Sequence, residues 1–109
     1  MTVREVNQLI ESIGPPSVYY QFPEGTEQKT PFICWYFPNS ADVLADNTIY
    51  KKKNALVIEL YTDYKNFSLE HEIEAALLDA GLVFTWDDSY IDTERMHMTT
   101  YYTEVFIDG

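Results

Sequence analysis

The sequence predicts a two-layer α+β sandwich. A mixed or antiparallel β-sheet carries two helices on one face, in the order α-β-β-β-α-β-β. Three observations predict it. Ala55–Tyr61 alternates with period two, which sets Leu56, Ile58 and Leu60 on one face of a strand and Ala55, Val57, Glu59 and Tyr61 on the other. Leu69, Ile73, Ala76, Leu77 and Ala80 recur at helical spacing, as do Val3, Val6, Ile10 and Ile13 near the start. The remaining β-rich runs are joined by short turns, which favours a sheet with its helices segregated to one side.

Taken in order, Thr2-Val3-Arg4-Glu5 fits a capping box and opens a helix over Val3–Ile13. Gly14 ends it and Pro15-Pro16 prevents its continuation. Val18–Phe22 and Phe32–Phe37 read as strands. The second is nearly continuously apolar, so both its faces are covered or one waits for a partner. The long strand follows, then a turn over Thr62–Asn66. A helix over Leu69–Ala80 comes next, with Ser68 as its expected cap and Gly81 as its left-handed stop. Leu82–Trp86 is a strand, Asp87-Asp88-Ser89 a turn or bulge, and Tyr90–Asp92 a resumption. After a turn at Thr93–Arg95, Met96–Ile107 is the last strand.

The 109 residues make one domain, with enough chain to bury a modest core. Asn39–Asn54 is the least foldable piece and the expected mobile segment. It ends in Lys51-Lys52-Lys53, three of the seven basic residues. Two readings stand for it: a solvated loop or hairpin arm, and a segment that orders on a partner. Tyr50 also keeps phase with Leu56, Ile58 and Leu60, as an overhang of the long strand would.

Composition narrows the function. A net charge of −11 argues against nucleic acid as a surface ligand, because such affinity rests on Lys and Arg neutralising phosphates. No run approaches the ~18 apolar residues of a membrane span, and the first residues do not read as a signal peptide. Cys34 is the only cysteine, which excludes a disulfide framework, and it reads as a small apolar strand residue. His71 and His97 have no sequence neighbour that makes them a pair. Asp87, Asp88, Asp92 and Glu94 match no EF-hand spacing, and no Gly-rich loop or nucleophile elbow is present. Glu70, Glu72, Glu74 and Asp79 read as a wet helix face. The expectation is a protein with no enzymatic activity, cofactor or metal. Nine Tyr, six Phe and two Trp exceed what a small core holds, and such residues are enriched where proteins meet proteins. The interface candidates are Lys51, Lys52, Lys53, Tyr61 and Tyr102.

The short N-terminal helix, "TPFICWYF", "ADNTIYKKKNALVIELYTDYKNFSLEHEIEAALLDAGL" and "YIDTERMHMTTYYTEVFI" together resemble small tail-component proteins of long-tailed phages and prophages of Gram-positive bacteria. These are the tail-completion or tail-terminator proteins of the head–tail joint. The resemblance runs from Val3 to Ile107 and is carried by layout rather than by one motif. It implies a two-layer α+β subunit assembled as a ring, commonly a hexamer, between tail tube and head connector, in the virion tail and built in the host cytoplasm. It implies DNA passing through a lumen without specific binding, and contacts to neighbouring rings from the region of Asn39–Asn54. Two other readings are open: an acidic DNA-mimic inhibitor, and a head–tail connector adaptor one ring nearer the capsid. A small-ligand module has no pocket signature.

Overall fold

The computed structural model describes residues 1–23, 25, 28–39 and 52–107, with the backbone alone for Lys52. Residues 40–51 of the expected mobile segment, Lys51 among them, lie outside the described residues. The elements are α1 (Val3–Glu11), β1 (Ser17–Tyr19), β2 (Phe32–Tyr36), β3 (Lys52–Thr62), α2 (Phe67–Asp79), β4 (Phe84–Ile91) and β5 (Met96–Ile107). The five strands form one sheet in the order β1-β2-β3-β5-β4. β1 runs parallel to β2 and every other pair is antiparallel, so the sheet is mixed, as expected.

β3 lies at the centre because it is the strand with apolar residues for a buried neighbour on each side. Its Leu56, Ile58 and Leu60 are fully buried. Register sets Ile58 opposite Trp35 on β2 and Tyr101 on β5, and residues directly opposite share a face. Val6 and Ile10 of α1 and Ile73 and Leu77 of α2 close over that face, with Ile33, Val105 and Ile107 completing one cluster.

The helix ends follow local chemistry. The Glu5 N–H donates to Thr2 Oγ1 at 3.1 Å and the Thr2 N–H to Glu5 Oε1 at 2.9 Å, the reciprocal capping box. α1 stops at Glu11, two residues short of the predicted end, because Ser12 takes the C-cap and Ile13 N–H bonds back to Ile10 O. α2 starts at Phe67, and its cap is Asn66 rather than Ser68: Asn66 Oδ1 accepts the Leu69 N–H at 3.1 Å. A capping side chain must sit two or three residues before the N–H it takes, and Ser68 already lies inside the first turn. At the other end the Leu82 N–H reaches Leu77 O and the Gly81 N–H reaches Leu78 O, both at 2.9 Å. That double closure requires a left-handed residue, and Gly81 supplies φ +76°.

Four strands differ from expectation, β2 only by stopping at Tyr36, one residue short of Phe37. β1 is shorter, because Tyr20 adopts φ +74° and leaves the extended path. β3 is longer, beginning at Lys52 and ending at Thr62. β4 is continuous through Asp87-Asp88-Ser89, which pair with Thr100, Thr99 and Met98. An edge strand tolerates a polar run because one side of it stays wet. The turn falls at Asp92–Arg95, where Glu94 and Arg95 N–H groups bond back to Ile91 and Asp92 carbonyls.

The acidic face of α2 is not uniformly wet. Glu72 and Asp79 are exposed, but Glu70 is buried. Lys65 Nζ donates to Glu70 Oε1 at 2.8 Å and to Asp88 Oδ2 at 2.6 Å, and the Thr99 hydroxyl donates to Glu70 Oε2 at 3.3 Å. The ammonium also lies 4.9 Å from the Trp86 ring centroid and 5.4 Å from that of Phe67. Nearby, the Tyr101 hydroxyl donates to Glu74 Oε2 at 2.8 Å; burial, and then Glu74, raise that phenol above its ordinary range. Desolvation works to lower Lys65, but the hydrogen bonds to Asp88 and Glu70 outweigh it and raise the ammonium pKa. Asp88 is held below the ordinary carboxylate value, first by the Lys65 hydrogen bond.

Two expectations can be measured. Leu77 is 1% exposed and Leu78 62%. In chemical denaturation Leu77→Ala costs roughly 2–5 kcal/mol, while Leu78→Ala stays within about 0.5 kcal/mol of the parent. Lys65→Met strands the buried Glu70 carboxylate and costs roughly 1–3 kcal/mol at pH 7. Because the folded-state pKa of Asp88 is depressed, its contribution is complete above the ordinary carboxylate value and is lost as pH falls through the lowered one. A carboxyl-resolved NMR titration should show the Asp88 midpoint moving up in Lys65→Met; an unmoved midpoint means the pair is not formed in solution.

Candidate functional site

Alternation along the strands fixes what lies on the face away from both helices. β2 contributes Phe32, Cys34 and Tyr36, and β3 contributes Lys53, Ala55, Val57, Glu59 and Tyr61. Register adds Tyr102, Glu104 and Phe106 of β5, with Asp87 of β4. The helices bury only residues of the opposite parity, so among the described residues no helix covers this face.

Aromatic rings dominate it. Phe32 stacks on Tyr61 at 4.7 Å between centroids, Phe22 meets Phe32 edge-on at 5.5 Å, and Tyr20 lies 5.6 Å from Tyr36. These rings border an open depression of about 820 Å³ that also takes in Cys34 and Glu59. At the other end Tyr102 and Phe106 stand 43% and 53% exposed, beside a second depression of about 600 Å³ that reaches Val83. Lys53 joins that end, 3.8 Å from Glu104 and 5.8 Å above the Phe106 ring.

Polar groups on this face are committed to one another. The Tyr61 hydroxyl donates to Glu59 Oε1 at 2.9 Å; burial, then the Glu59 charge, raise its pKa. Tyr102 donates to Asp87 Oδ2 at 3.4 Å. Burial, and then Glu59, push the Cys34 thiol up to about 11. A thiol held protonated is a poor nucleophile and a poor metal ligand. Among the described residues no group of three or more His, Cys, Asp or Glu is placed to hold a metal ion. His71 is exposed on α2; His97 opens β5 with Nε2 4.0 Å from Asp88 Oδ2.

Of the predicted interface residues, Tyr61, Tyr102 and Lys53 lie on this one face. Tyr102 pairs with Val57, four residues from Tyr61 along β3, roughly 13 Å away. The Lys51 and Lys52 side chains lie outside the described residues. Sequence reasoning did not single out Phe32, Tyr36 or Phe106. The signal was present for β2: a five-residue strand apolar on both parities has an apolar set left over once one face is packed.

Fold and face together define a class: a two-layer α+β domain whose sheet, among the described residues, is closed by helices on one side and aromatic and open on the other. No protein-family model and no curated protein sequence matches the chain. A chain of a solved structure described as the virion of a native gene transfer agent particle has a similar fold. Its TM-score is 0.53 at 18% sequence identity, over 98% of this chain and 89% of that one. At that identity the likeness is one of fold.

The Cys34 environment gives a direct measurement. A rise from 9.0 to about 11 lowers the thiolate fraction near pH 8 about 100-fold. Alkylation by iodoacetamide at pH 8 should be slower than for free cysteine by at least that factor, and should recover on unfolding. A rate like that of free cysteine in the folded protein would show that the thiol is not desolvated.

Proposed function

We infer that the chain is a non-enzymatic structural subunit of a phage or prophage tail. In this reading copies assemble as a ring, a hexamer, that completes or terminates the tail tube and joins it to the head. The observation that carries the reading is the uncovered aromatic face. A folded domain that leaves Phe32, Tyr36, Tyr61, Tyr102 and Phe106 together on one face with no covering helix among the described residues has a surface suited to burial against protein. The fold likeness to a chain of the gene transfer agent virion supports it. So does the resemblance of layout to tail-completion proteins.

The partners in this reading are further copies of the chain, the tail-tube protein and the head connector, in the virion tail, after assembly in the bacterial cytoplasm. A ring needs two different surfaces that fit head to tail. The aromatic face supplies one of them. Lys53, with Lys51 and Lys52, meets acidic neighbours and tunes association rate and salt sensitivity more than fold. With a net charge of −11, the lumen does not retain the phosphates of passing DNA. A head–tail adaptor is the adjacent position in the same assembly. The DNA-mimic reading loses support, because a mimic needs free carboxylates in a row, and Glu70 and Glu74 are engaged by Lys65 and Tyr101.

The test is made in a producing phage. Tyr102→Ser with Phe106→Ser removes outward rings while leaving the helix-side core intact. The expected outcome is a folded subunit with the circular dichroism of the parent, and micrographs showing tails of abnormal length or unjoined to heads. Normal infectious particles from this variant would remove the face from the assembly. Normal, attached tails after loss of the whole gene would end the tail reading itself.

A further inference from the structure

β4 is the last strand of the sheet. It is bonded to β5 on one side, and among the described residues no strand pairs with the other. Its six central residues, Thr85–Tyr90, are all exposed. Along these eight residues every second one turns its N–H and C=O away from β5, so the described residues leave an edge that an extended chain can pair with.

The side chains along that edge select the chain. Trp86 and Tyr90 point to the helix side and are 52% and 56% exposed. Asp87 points to the opposite face and Asp88 to the helix side, where Lys65 holds it. A second β4 is a poor fit. In an antiparallel pair centred on this strand, every register sets Asp87 or Asp88 opposite or diagonal to a carboxylate of the copy. Like charges so placed are destabilising. The whole chain adds to this, since a net charge of −11 draws a basic partner.

We propose that the free edge of β4 takes an extended segment of a different protein as a sixth strand. That segment alternates Lys or Arg, set beside Asp87, with apolar residues set beside Trp86 and Tyr90. The backbone supplies the pairing, the two rings shelter the apolar side chains, and Asp87 selects for positive charge. The edge adjoins the aromatic face at Asp87, which Tyr102 bonds, but it is a backbone surface and the proposal does not rest on the tail reading.

A synthetic eight-residue peptide alternating Lys and Val tests this on the full chain. The controls are a peptide of the same composition with four Lys followed by four Val, and the alternating peptide N-methylated throughout. The alternating peptide should newly protect the outward-facing amides of 84–91, every second one, from hydrogen exchange and shift the Trp86 emission to the blue. Both controls should bind at least about ten-fold more weakly. Asp87→Lys, checked for parental circular dichroism, should weaken the Lys/Val peptide about ten-fold and strengthen a Glu/Val one. Equal binding of alternating and block peptides would reduce the effect to charge adsorption and overturn the proposal. So would unchanged exchange of the β4 amides, or self-association of the protein alone with protection confined to β4.

Discussion

Leu56, Ile58 and Leu60 of β3 belong to the same buried cluster as side chains of both helices and of strands β2 and β5. That makes the phase of β3 the constraint on which the rest depends. Side chains alternate with a period of two, so a one-residue slip against β2 or β5 would turn these three outward and Val57 and Glu59 inward. The penalty for that slip fixes the pairing of Ile58 with Trp35 and Tyr101, and with it the facing of every other strand. It also fixes what is left over. Among the described residues two helices cover one face, and the residues of opposite parity lie on the other.

The polar knot around Lys65 shows how the layer is closed where apolar residues run out. α2 begins above the junction of β5 and β4, and there the sheet offers Thr99, Asp88 and Trp86 rather than aliphatic groups. A buried carboxylate at Glu70 would be costly alone. Lys65 and Thr99 satisfy it, and the same ammonium ties down Asp88 and rests over two rings. One lysine thus holds the helix start against the edge strand. The arrangement contributes more to position than to net stability, since its gains largely offset the cost of taking these groups from water.

Most of the layer was legible in the sequence because its signals are local and periodic. The order of elements, the sides of Leu56, Ile58 and Leu60, the capping box at Thr2 and the stop at Gly81 each depend on a few neighbouring residues. What was not legible depends on distant ones. Ser68 and Asn66 are both good caps, and only the path of the chain out of β3 decides between them. Asp87-Asp88-Ser89 has turn composition, and only the pairing with Met98–Thr100 holds it extended. Glu70 looks like its exposed neighbour Glu72 until Lys65 folds back from the preceding turn. For the candidate site, the excess of Tyr and Phe was visible but its location was not: which parity of β2 and β5 faces away follows from register between residues as distant in sequence as Lys52 and Ile107.

The two outward surfaces differ in kind, and that difference bears on how such a subunit can be used. The aromatic face offers area without direction: rings gain from burial against many shapes, and Lys53 and Glu59 adjust rather than dictate the fit. The β4 edge offers direction with little area, since backbone groups accept a strand only in register and only at one spacing. A surface of the first kind suits contact with copies whose orientation is set elsewhere in an assembly. A surface of the second kind suits a single partner whose sequence matches it. Asp87 and Asp88 are carboxylates of the kind that discourage pairing between identical edges, which favours an unlike chain at this edge. If the two proposals hold, the same two residues that looked like a turn in the sequence separate contact with like copies from recognition of an unlike chain.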